Sequence, residues 1–315
     1  MKMKGFLDLF PSNYASTFGV TEVRNPAHLQ RARLTSFTWS QQRGTICLAA
    51  DKNYYRQAAD NPHVAVIICP QTAIARQLSD KTVIVAARYA ELFYAVHNGA
   101  VHKLIDDLPV RAPRIAPTAH VARSAIVGPE VSIGENCTIG ERCLLIGPVE
   151  IGDDCVIHQY VTIGTDGLFS KKLFDTKIHI QHFGGVRIGR NCAIHAGSNV
   201  ARSVNFSEWT DIGDDVRIGI HVNIGHDCKL THDIDISGNV MLAGRVTVGE
   251  GAWLGAAAVV SNAIHIGNGA RVRLGSVVIE DVPEGADVSG NFAVDHMRRL
   301  RQHLAWGRKQ WKQTK

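Results

Sequence analysis

The chain has 315 residues, 45% hydrophobic and 20% charged, which suits about two domains with a sizeable core and excludes a disordered protein. No apolar run approaches the ~20 residues of a membrane span, and the first eleven residues hold two lysines without the apolar stretch of a secretory leader, so a soluble cytoplasmic protein is expected. The net charge of +5 is local: residues 296–315 carry seven Lys/Arg and no Asp or Glu, leaving the rest at −2, which argues against nucleic-acid binding by the main body.

Residues 1–108 read as a small α/β domain. Three β-rich runs (45–49, 64–69 and 82–86) precede a helical stretch from Tyr89 to Leu104. Pro109, Pro113 and Pro117 mark 109–119 as a linker. Residues 120–290 then repeat. From Ile212 to Val278 an apolar residue recurs at every sixth position, through Ile218, Ile224, Leu230, Ile236 and Leu242 onward, often followed by glycine. Four residues after each anchor stands a small or apolar residue, such as Val216, Val222 or Ala252. Period six fits neither an α-helix nor a hairpin and marks a hexapeptide β-helix. The glycines are expected at corners whose backbone a Cβ disfavours.

A looser block runs through Val127, Ile133, Ile139, Ile146, Ile151, Ile157, Ile163, Ile188 and Ile194. Its breaks, about 165–185 and 201–211, are too long for turns within a coil and are expected as loops thrown out from the solenoid, where function tends to sit. Of seven cysteines, an odd number that suits a reducing compartment, Cys137, Cys143, Cys155, Cys192 and Cys228 fall in the small inward slot; packing, not metal binding, is expected of them. Residues 291–315 space Met297, Leu300, Leu304 and Trp311 as a basic amphipathic helix. It either packs on its own oligomer or docks an acidic partner through Arg298, Arg299 and Arg301.

The chemistry centres on His226, two residues past the Ile224 anchor and so near an edge of the prism. The likeness to left-handed β-helix acyltransferases gives three hexads, or 18 residues, per coil, and Gly244 then stacks beside His226. Imidazole accepts a proton near neutrality, and a glycine N–H without a neighbouring side chain suits a developing oxyanion. A base and an oxyanion donor are what acyl transfer from a thioester to an amine requires. Asp227 and Glu208 are candidates for orienting the base. His158 and His195 read as corner residues.

The stretch from Thr210 through Val222-Asn223-Ile224-Gly225-His226-Asp227 to Val240-Met241-Leu242-Ala243-Gly244 resembles the UDP-3-O-(3-hydroxyacyl)glucosamine N-acyltransferases of lipid A biosynthesis. So do Gly164-Thr165-Asp166-Gly167-Leu168-Phe169, Gly185–Gly189 and the region from Gly44 through Tyr55 to Val66. The resemblance implies a mainly β, left-handed parallel β-helix behind an α/β uridine-binding domain. It implies a homotrimer with sites between subunits, and an acyl carrier protein or CoA thioester as co-substrate without bound cofactor or metal. It assigns His226 as general base, Gly244 as oxyanion donor, and Asp166, Gly167 and Phe169 to the sugar. Tyr54 or Tyr55 would stack on uracil, the partner aromatic falling on Leu48. The His226-Asp227-Cys228 run is also similar to N-acetyltransferases acting on nucleotide-linked 4-amino sugars. An O-acetyltransferase, a metal-dependent hydratase and a non-enzymatic scaffold are the remaining readings. The hydratase needs about three converging histidines, which His221, His226 and His232 do not assemble, since the six-residue step from His226 to His232 changes face.

Overall fold

The computed structural model describes residues 14–74, 80–104, 112–290, 297, 298 and 301. The N-terminal part holds strands β1 (Val20–Arg24), β2 (Leu34–Ser36), β3 (Thr45–Leu48), β4 (Val64–Cys69) and β5 (Thr82–Ala86), with helices α1 (Tyr14–Phe18), α2 (Lys52–Asp60) and α3 (Tyr89–Leu104). The sheet order is β1-β5-β4-β3-β2, with β1 antiparallel to β5 and the others parallel. Strands β4 and β5 are buried along their whole length because helices cover both faces. Ile46, Val66, Ile68 and Ile84 pack with Leu92, Phe93 and Val96 of α3, while Cys47, Ile67, Cys69 and Val83 pack with Tyr55 and Ala58 of α2. Asp51 caps α2 by accepting from the backbone N–H groups of Asn53 and Tyr54.

The rest is a left-handed parallel β-helix with three sheets of nine, eight and eight strands. Its coils pair residues 18 apart, as in Leu145↔Ile163 and Ile224↔Leu242. Every anchor from Ile212 to Val278 lies in one continuous core; full burial of such a side chain contributes about 1.5–3 kcal/mol. The structure makes three corrections. In the early block the anchor is Leu145, fully buried, and not the half-buried Ile146. The prism begins within the segment read as a linker, since Arg114–Ile115 pairs with Ser132–Ile133. The glycine after each anchor serves close approach rather than an unusual φ: a Cβ at Gly225 would lie 2.6 Å from the Ala243 carbonyl carbon in the next coil. Left-handed backbone instead falls two residues later, at Asp215, Asp227, Asp233 and Asn239, residue types that tolerate it.

The five inward cysteines are buried and satisfy corner carbonyls. Cys143 Sγ donates to His158 O at 3.0 Å, Cys192 Sγ to Gly213 O at 3.1 Å and Cys228 Sγ to Ala243 O at 3.1 Å. Two excursions leave the prism, where Ile163 stacks on Val200 and Val200 on Ile224 with longer steps. The first forms a hairpin of Ser170–Leu173 with Thr176–His179. Helix α3 grips it: Asn98 Nδ2 donates to His179 O at 2.9 Å, Gln181 N to Asn98 Oδ1 at 3.2 Å, and His97 Nε2 to Gln181 O at 2.9 Å. Phe183 and Phe206 stack at 4.1 Å and tie the two excursions together.

Among the described residues no helix is long and apolar enough to cross a membrane. Met297, Arg298 and Arg301 are helical and exposed; Arg299 and most of the basic helix expected at 291–315 lie outside the described residues.

Candidate functional site

His226 stands at a corner of the prism, with Gly244 directly above it. A Cβ at Gly244 would lie 2.6 Å from both Cε1 and Nε2 of the imidazole, so glycine there makes room for the ring. The Gly244 carbonyl accepts from Ala263 N at 2.9 Å, while its own N–H has no hydrogen-bond partner among the described residues. The pairing reached from the 18-residue stacking is therefore present, with an unspent donor beside the imidazole.

Of the two candidates for orienting the imidazole, Asp227 is the one bonded to it. His226 Nδ1 donates to Asp227 Oδ2 at 2.7 Å, which leaves Nε2, the nitrogen facing Gly244, as the acceptor. The left-handed corner at Asp227 (φ 60°) brings two successive side chains together, which an extended strand would send to opposite faces. Burial opposes charge on Asp227, but hydrogen bonds from His226 and Ser203 hold its carboxyl below the usual range. The second excursion supplies this support: Ser203 Oγ and Val204 N donate to Oδ1, the latter at 3.2 Å. Thr210 Oγ1 accepts from Asp227 N at 2.9 Å. Glu208, the other candidate, instead accepts from Ser36 Oγ at 2.7 Å, and His232 accepts from Asp214 N at another corner.

The imidazole is near an edge, as expected, yet only 11% exposed, because the first excursion folds over it. Gly167 packs so close that a Cβ would lie 3.2 Å from His226 Cδ2. The rings of Phe169 and His182 have centroids 5.4 Å from that of His226. Asp166 is held by Arg202, whose Nε and terminal nitrogen both lie 2.7 Å from Oδ1. A cavity of about 620 Å³ opens beside these groups, lined by Tyr94, Phe169, Lys171, Met241, Arg245 and Asn262 among others. Lys171 Nζ lies over the Phe169 and Tyr94 rings, at 5.2 and 5.7 Å.

Beyond Arg245 lies an aromatic platform. The Arg245 guanidinium sits 5.5 Å over the Phe37 ring, Phe37 stacks on Trp39 at 4.6 Å, and Trp39 faces Tyr54 at 6.4 Å. Trp39 and Tyr54 are 40% and 44% exposed. Tyr55 is corrected as a stacking candidate: it is 1% exposed and belongs to the sheet core. Leu48 packs against the other core cluster. The sequence reading missed Trp39, Tyr94, Lys171, His182, Ser203 and Arg245. Only the Phe37-x-Trp39 pair, two large aromatics beside a strand, carried a local signal.

Asp166, His179 and His182 bring one ligand atom each within 4.8 Å of one another, the geometry of a potential cation site. The donors are committed otherwise. His182 Nδ1 donates to Ile180 O at 3.1 Å, and His182 Nε2 accepts from Gly167 N at 3.3 Å. Arg202 already supplies positive charge to Asp166. The set reads as a hydrogen-bonded brace.

Burial pushes both His97 and His182 down to about 4. A histidine held neutral in the fold binds its proton more readily when unfolded, so stability is full above about 6.5, the ordinary value, and drains as pH falls toward about 4. Thermal melts between pH 7 and pH 4 are expected to show a falling Tm in that window, with a flatter profile for His97→Gln. Identical slopes for the variant and wild type would contradict this.

Residues 130–165 match the family model for the bacterial transferase hexapeptide (six repeats), and residues 245–279 that for the hexapeptide repeat of succinyl-transferase. No curated protein matches the chain. Among solved structures, the UDP-N-acetylglucosamine acyltransferase from Campylobacter jejuni is similar at 22% identity, over 61% of this chain and 83% of that one, with a TM-score of 0.47. The Francisella novicida UDP-N-acetylglucosamine acyltransferase shares 29% identity over 61% and 72% of the two chains, with a TM-score of 0.39. A variant of the perosamine N-acetyltransferase from Caulobacter crescentus, in complex with CoA and GDP-perosamine, shares 18% identity over 82% and 96%, with a TM-score of 0.26.

Proposed function

The β-helix carries the hexapeptide repeats of bacterial transferases, and from that premise we propose that the chain is an N-acyltransferase, moving an acyl group from a thioester to the amine of a nucleotide-linked amino sugar. The observation that carries the reading is the Asp227–His226 hydrogen bond, with Nε2 beside Gly244, whose N–H has no hydrogen-bond partner among the described residues. The neutral amine attacks the thioester carbonyl carbon while His226 Nε2 takes its proton. The tetrahedral oxyanion is stabilised by the Gly244 N–H. The C–S bond then breaks, the imidazolium returns the proton to the departing thiolate, and amide and free thiol result. Asp227 stabilises the transient imidazolium as the aspartate of a Ser-His-Asp triad does.

The acceptor class rests on what surrounds the base. Lys171 and Arg245 line the cavity, and their positive charge suits a diphosphate. The Trp39–Tyr54 platform suits a nucleobase, because aromatic rings stack on any base without reading its edge. Trp39→Ala is expected to raise KM for the nucleotide sugar about 5–150-fold, from a stacking contribution of ~1–3 kcal/mol, and to leave KM for the thioester unchanged; equal shifts in both would contradict this.

Within this class, the resemblance carried by the Asp166-Gly167 loop and His226 favours UDP-3-O-acylglucosamine, the lipid A acceptor. A 4-amino deoxysugar linked to a nucleotide is the second reading, favoured by the adjacent His226-Asp227 pair. Homotrimer formation is part of the proposal. Met241, Val259 and Val277 stack in register along one face, all exposed, and Met241 lines the cavity, so a second copy on that face would cover apolar surface and close the site. Arg298 and Arg301, with Arg299, would meet an acyl carrier protein, and CoA is the alternative donor. The test is direct: purified protein given an acyl-thioester and a UDP- or dTDP-linked amino sugar releases thiol and forms an alkali-stable amide. Thermal stabilisation by UDP-linked ligands alone selects the lipid A reading, and stabilisation by dTDP-linked ones selects the other. Absence of thiol release with every pair overturns the function.

A further inference from the structure

We infer that His182 is a positioning residue that pins the Asp166–Gly167 loop over His226, and so governs the grip on the acceptor sugar; this rests on the reading that this loop meets the sugar. His182 is 1% exposed. Its two ring nitrogens tie the start of the first excursion to the end of that excursion. Its Nε2 accepts the Gly167 N–H at 3.3 Å, and its Nδ1 gives its proton to Ile180 O at 3.1 Å. These two bonds fix one neutral tautomer, since a protonated ring would set Nε2–H against the Gly167 N–H. The ring meets that of His226 edge-to-face, at 5.4 Å and 86°. His179 stacks on its other side at 5.7 Å and 11°.

The backbone bearing His182 is anchored on both sides. Gln181 is clasped by His97 and Asn98 of α3. Phe183 N donates to Val204 O at 3.0 Å and Gly184 N to Ser203 O at 3.0 Å. The imidazole is thus a strut from the N-terminal domain and the second excursion to the loop over the catalytic base. A neutral strut also suits the chemistry, because a second cation beside His226 would oppose its protonation during transfer.

Side-chain length makes the test specific. Glutamine carries an acceptor at the ε position, in reach of Gly167 N, whereas the asparagine amide ends at the δ position, where it serves Ile180 O and falls short of Gly167 N. In the full chain, hydrogen exchange of the peptide containing the Gly167 amide is expected to quicken about 3–10-fold in His182→Asn, as one hydrogen bond is lost, and to stay near wild type in His182→Gln. In turnover, His182→Asn raises KM for the amino sugar by a similar factor with kcat and donor KM held, and His182→Gln restores it. A merely structural role would lower Tm and disturb both substrates alike. An unprotected Gly167 amide in wild type, equal behaviour of the two variants, or a matching rise in donor KM overturns the inference. Exchange needs no substrate, so failure of the proposed reaction would show as an inactive wild type with the Gly167 amide still protected.

Discussion

Replacing His226 by alanine is expected to lower kcat by about 10²–10⁴-fold, the range for removal of a positioned general base, with KM for both substrates little changed. The loss falls on kcat because the imidazole acts on the amine proton as the new bond forms, not on the groups that hold the nucleotide. Asp227→Asn serves as the companion. It keeps the size of the side chain but presents an amide that no longer compels Nδ1 to hold the proton, and it removes the charge that stabilises the imidazolium. A loss of the same order is expected, by analogy with the aspartate of the protease triad, where the same exchange costs about 10⁴. The two changes combined should cost scarcely more than the worse single one, since both disable one unit. Thiol release at several pH values measures all three; full activity in His226→Ala removes the mechanism.

Gly244→Ala is the second large effect, expected to reduce kcat about 10²-fold or more, the scale of losing an oxyanion donor. The added methyl would stand 2.6 Å from Cε1 and Nε2 of His226, well inside contact distance, so the ring must swing off the Asp227 axis or the N–H must be screened. Gly244 has no left-handed backbone, so the backbone itself accepts alanine and the strain falls on the imidazole. Gly225→Ala is the contrast. Its Cβ would meet backbone of the next coil at 2.6 Å, which no rotamer relieves, and the expected result is lost stability. If Gly244→Ala kept normal turnover, the oxyanion role would belong elsewhere.

Much of the architecture was legible because a solenoid turns sequence periodicity directly into space. An unbroken six-residue repeat marks the solenoid, and the 18-residue coil implied by the family resemblance then places Gly244 on His226. Where the pattern was ambiguous the reading slipped: Leu144-Leu145-Ile146 offers three apolar residues in a row, and only the inward slot selects Leu145. Glu208 and Asp227 could not be separated because the second excursion interrupts the stacking count.

The sequence by itself determined the prism and the corner position of the histidine, and with the coil length that the family resemblance implies also its neighbour, since these follow from contacts at a constant separation along the chain. Only the tertiary structure decided what covers and tunes that histidine. Ser203 reaching Asp227, Gly167 beneath His182, Arg245 meeting Phe37 and α3 clasping Gln181 join segments whose separations obey no period. Their contacts arise from the mutual packing of two loops and a separate sheet, and no local pattern in any one of them records it.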